Sequence, residues 1–87
     1  MFILKLNDNC GDVVSRHDVL FETEYAAITA GVVEVKAGCL YHLYIEETDK
    51  PMGRGYAHFI PNSKVLHYLN VFNGDVQAVA NLLDANK

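Results

Sequence analysis

Positive charge is scarce in this 87-residue chain: seven lysines and arginines stand against eleven aspartates and glutamates, for a formal charge of −4. That balance opposes the electrostatic attraction on which nucleic-acid binding rests, so DNA, RNA and anionic membranes are not expected as ligands. It suits solubility, or a basic partner, or at the extreme an acidic mimic of nucleic acid. Cysteine is scarce too. Cys10 and Cys39 form no CxxC pair and no disulfide framework, so both are expected to be free thiols that serve as small packing residues. Long apolar runs are missing: Met1-Phe2-Ile3-Leu4-Lys5 is short and follows no basic region, so neither a signal peptide nor a membrane anchor is expected. Cytoplasmic residence is the default that follows.

The catalogue of absent chemistry is equally informative. Four histidines (His17, His42, His58, His67) occur without HxH, HExxH or a Cys/His knuckle, and Asp8, Asp12 and Asp49 lack the spacing of a calcium loop. No metal or cofactor is therefore expected. Gly53-Arg54-Gly55 has the glycines of a phosphate loop but none of its other residues. A nucleophilic Cys10 would need His17 beside it and a third orienting group, which the sequence does not supply, so no catalytic residue is named.

What is present is a foldable pattern. Hydrophobic residues make up 51% and charged residues 21%, which fits one packed domain over 1–87 that buries roughly 60–65% of its unfolded surface. Phe2, Leu4 and Leu6 alternate with Ile3 and Lys5, the period of a half-buried strand over 2–6. Asn7-Asp8-Asn9-Cys10-Gly11-Asp12 reads as a hairpin connection, returning as a second strand from Val13 to His17. Thr23 can cap a helix that Gly38 stops; Tyr25, Ile28, Val32 and Val35 form its apolar stripe, with Ala27, Gly31 and Glu34 outward. A strand over Val32–Lys36 is the rival parse. Two strands follow, Cys39 to Glu46 and Gly55 to Ile60, before Pro61, with Asn62 or Ser63 as the next helix cap. Val65, Leu66, Leu69 and Phe72 give that helix an apolar side, although a strand over 65–69 is an alternative. Asn73-Gly74 ends it, and Asp75 caps a last helix carrying Val76, Val79, Ala80 and Leu83. The order β-β-α-β-β-α-α predicts an α+β fold, a four-stranded antiparallel sheet with its helices mainly on one face. Its other face must be solvated or covered by a partner.

Alternation across strand three assigns Tyr41, Leu43 and Ile45 to the core and Leu40, His42, Tyr44 and Glu46 to the outer face. Placing Ala57 and Phe59 inward then sets Tyr56 and His58 beside Tyr44 and His42. The expected site is this cluster of two tyrosines and two histidines, with Arg54 at its rim. Tyrosines offer contact area at low rotamer cost, as recognition surfaces require. The expected function is a non-catalytic protein-binding module, an inhibitor or adaptor that binds a protein partner or itself as a homodimer. Its small acidic α+β composition also suits accessory proteins of phages and mobile elements. The competing reading is a small-molecule or metal-binding protein or enzyme using His42, His58 and Tyr44.

Overall fold

A computed structural model describes residues 1–16, 19–48 and 57–85. Seven elements follow in the expected order: β1 (Phe2–Asn7), β2 (Val13–Arg16), α1 (Glu24–Lys36), β3 (His42–Glu47), β4 (Ala57–Ile60), α2 (Asn62–Val71) and α3 (Val76–Ala85). The strands form one antiparallel sheet in the order β2-β1-β3-β4. Both segments with a rival strand parse, 32–36 and 65–69, are helical.

Local chemistry explains most boundaries. In the β1–β2 hairpin, Asp8 Oδ1 accepts from the amides of Cys10 (2.9 Å) and Asp12 (3.0 Å), around Gly11 at φ +87°. Thr23 Oγ1 accepts from the Ala26 amide and caps α1. The helix closes on Gly38 at φ +110°, where the Gly38 amide donates to the Val35 carbonyl and the Cys39 amide to the Glu34 carbonyl. The same closure recurs after α2, with Asn73 at φ +55° in the glycine's role. Asp75 caps α3 through the Ala78 amide.

One face of the sheet supplies Leu4, Leu6, Leu43, Ile45 and Ile60 to the core, all buried. Against it lies α1, and α2 and α3 pack on α1 and on each other, contributing Val65, Leu69, Val79, Ala80 and Leu83. Each fully buried large aliphatic side chain contributes about 1.5–3 kcal/mol, and these supply the bulk of the driving force.

Being covered on two sides corrects the reading of α1. Ala27 and Gly31, expected outward, are buried with Ile28, Val32 and Val35. A Cβ built on Gly31 would lie 2.6 Å from Leu43 Cδ1, so this helix approaches β3 more closely than a side chain at this position would allow with Leu43 where it stands. On α2 the stripe is narrower than expected, since Leu66 and Phe72 are exposed while Val65 and Leu69 are buried. Tyr41, assigned to the core, precedes β3 and is 43% exposed. Asn62 does not cap α2: Pro61 holds the cap position, and the Asn62 side chain turns inward, its Nδ2 donating to the carbonyls of Cys39 (2.8 Å) and Tyr41 (3.2 Å).

No helix among the described residues is long and apolar enough to cross a membrane. Cys10 is exposed and Cys39 half-buried, and both are free thiols. His17, a possible partner for Cys10, lies outside the described residues, as does the connection 49–56.

Candidate functional site

Register decides which side chains share the uncovered face. Opposite residues in an antiparallel pair point the same way, so the pairs Lys5↔Arg16, Lys5↔Tyr44 and Tyr44↔Phe59 lay one rung across all four strands. That rung reads Arg16, Lys5, Tyr44, Phe59, with cations on β2 and β1 and rings on β3 and β4. Neighbouring rungs add Asn7 with His42 and Ile3 with Glu46. Phe59 is 48% exposed, and its ring meets that of His42 with centroids 5.2 Å apart. Lys5 Nζ donates to Glu46 Oε2 at 2.7 Å, which neutralises that cation within the face. Arg16 is exposed and forms no ion pair among the described residues. The Tyr44 hydroxyl likewise has no hydrogen-bond partner among them.

The predicted cluster is therefore assembled only in part. His42 and Tyr44 lie on the outer face, but His58 does not join them. It sits opposite Ile45 on the helical side of the sheet, with a side chain 16% exposed, and its Nδ1 lies 3.1 Å from Glu24 Oε1. Strand four thus has the opposite phase from the expected one. Ile60 and His58 turn inward, and Phe59 takes the outward place. The physical reason is partnership: an inward His58 needs a polar group, and the first turn of α1 delivers the buried Glu24 carboxylate to it. No local pattern around His58 could reveal a partner 34 positions away. The expectations for Tyr56, Arg54 and the Ala57 side chain lie outside the described residues.

His42 has a structural task as well. The Asn62 backbone amide donates to its Nδ1 at 2.9 Å, so the ring proton resides on Nε2, which donates to Asn9 Oδ1 at 2.7 Å. One imidazole thereby ties the β1–β2 loop to the start of α2 and fixes its own ring against Phe59. Next to it, Asn7 Oδ1 is buried without a hydrogen-bond partner among the described residues.

Elsewhere, a groove of about 480 Å³ opens on the helical side between α1, α2 and the turn after α2, lined by Val35, Leu66, Leu69 and Asn70 among others. His42, Tyr44 and His58 do not line it. Among the described residues, no three His, Cys, Asp or Glu side chains converge as metal ligands would.

Fold and face together define a small α+β domain with an open, ring-bearing sheet surface. Compared with family models, with curated proteins and with solved structures, the chain matches none of them.

Proposed function

We propose that the protein is a non-catalytic protein-binding module, an inhibitor or adaptor, whose recognition surface is the outer face of its sheet; self-association is its simplest form. The observation that carries this reading is the division of labour between the two faces. Among the described side chains, every fully buried one on a strand lies on the helical side, while the other side leaves Phe59 half exposed beside His42 and Tyr44. Aromatic side chains fixed by their neighbours lose little entropy on binding, which is what makes such patches effective anchors. The competing reading through His42, His58 and Tyr44 lacks its constellation, since the sheet separates His58 from the other two.

Site-specific photo-cross-linking in the native cell tests the proposal. A benzophenone side chain at position 44 is expected to capture a protein, whether a second copy or another chain, and one at position 66 on α2 is not. Equal capture at both positions, or capture at 66 alone, would refute it.

A further inference from the structure

Resting on the reading of the outer face as a recognition surface, we infer that its partner is a second copy of this chain, docked face to face about a two-fold axis parallel to the strands. The asymmetry of the central rung, Arg16, Lys5, Tyr44, Phe59, selects the orientation. With their strands kept aligned, two sheets can pack face to face in a closed dimer with the axis either along the rung or along the strands.

An axis along the rung sets each residue over its own copy. Arg16 then opposes Arg16, a like-charge arrangement that association disfavours, while Lys5 opposes Lys5 with each held by its own Glu46. An axis along the strands reverses the rung on itself. β2 then lies over the partner's β4 and β1 over the partner's β3, so Arg16 of each copy faces Phe59 of the other and Lys5 faces Tyr44. A guanidinium over an aromatic face is attracted by the ring quadrupole, and the symmetry supplies the contact twice. Among the described residues Arg16 has no ion pair to surrender, and Phe59 is the most exposed ring of the rung. Lys5, held by Glu46, brings a neutralised pair whose aliphatic stem covers ring surface. The face is therefore complementary to itself in one orientation and repulsive in the other. Four short strands offer a small footprint, so the dimer is a transient one.

Sedimentation velocity over a dilution series of the full chain tests this. Wild type is expected to shift from dimer towards monomer on dilution. Arg16→Glu and Phe59→Arg, both at exposed edge-strand positions, are each expected to weaken the dimer about tenfold or more, by setting a carboxylate against a ring face or cation over cation. The double variant, Arg16→Phe with Phe59→Arg, restores a cation over each ring and is expected to return to within about threefold of wild type. Circular dichroism and melting confirm that each variant is folded. A monomeric wild type at every concentration overturns the inference, and continued cross-linking of another protein through position 44 would then leave the recognition face standing. Undiminished association of Arg16→Glu, or a double variant no better than Phe59→Arg alone, overturns the proposed axis.

Discussion

Replacing Gly31 by alanine tests how closely α1 lies on the sheet. The added methyl would stand 2.6 Å from Leu43 Cδ1, 3.1 Å from Cδ2 and 3.3 Å from Cγ. Carbon atoms rest about 3.5–4.0 Å apart, so Leu43 must retreat by about 1 Å. It is fully buried and has nowhere open to go. Overpacking of this kind costs about 1–3 kcal/mol. Against it stands a gain of about 1 kcal/mol, because alanine is the better helix former. The expected net effect is a loss of about 1 kcal/mol, or a fall of roughly 4–8 °C in melting temperature for a domain of this size. The decisive comparison uses Leu43→Val, which withdraws the offending carbons at a cost of about 1 kcal/mol of its own. In that background Gly31→Ala is expected to stabilise by about 0.5–1 kcal/mol, reversing its sign. Urea denaturation of the four proteins measures the cycle. Equal effects in both backgrounds would show that Gly31 does not meet Leu43 and would refute the packing described.

Three further outcomes follow from particular contacts. Asn62→Ala strips the carbonyls of Cys39 and Tyr41 of their donor and is expected to cost about 1–3 kcal/mol by urea denaturation, with faster amide exchange at the start of β3. His58→Ala takes a partner from the buried Glu24 and is expected to lower stability by about 1–3 kcal/mol while leaving cross-linking through position 44 intact; lost cross-linking with unchanged melting would place His58 on the wrong face. For His42, nitrogen chemical shifts of the imidazole are expected to report the Nε2–H form, and the Nδ1–H form would contradict its bond from the Asn62 amide.

Most of what depends on neighbours in the chain was legible in the sequence, the cap of α2 being an exception. The Asp8 hairpin, the Thr23 and Asp75 caps and the Gly38 stop all rest on residues a few positions apart, and each forms as its chemistry requires. Alternation in β1 and β3 likewise marks Leu4, Leu6, Leu43 and Ile45 as core. The phase of β4 was not legible. Over Ala57-His58-Phe59-Ile60 either set of alternating side chains could turn inward on apolarity alone, and the choice was made by Glu24 on a distant helix. Nor could a single stripe describe α1, because a helix covered by sheet on one side and helices on the other buries Ala27 and Gly31 as well. The candidate site inherited the error in β4. Alternation puts His42 and Tyr44 on the outer face, where they lie, but it puts His58 there as well and does not bring Phe59, Lys5 and Arg16 to that face, although their register links them in one rung.

The central claim is that the outer face, rather than the helical side, is the surface through which this protein works. Its most direct test is quantitative affinity capture from the native cell with wild type and with the double variant Tyr44→Ala, Phe59→Ala, the two proteins matched for melting temperature. The account predicts that proteins enriched on wild type, the chain itself included, fall about tenfold or more on the variant, as removal of two central anchors requires. Equal enrichment on both would contradict it.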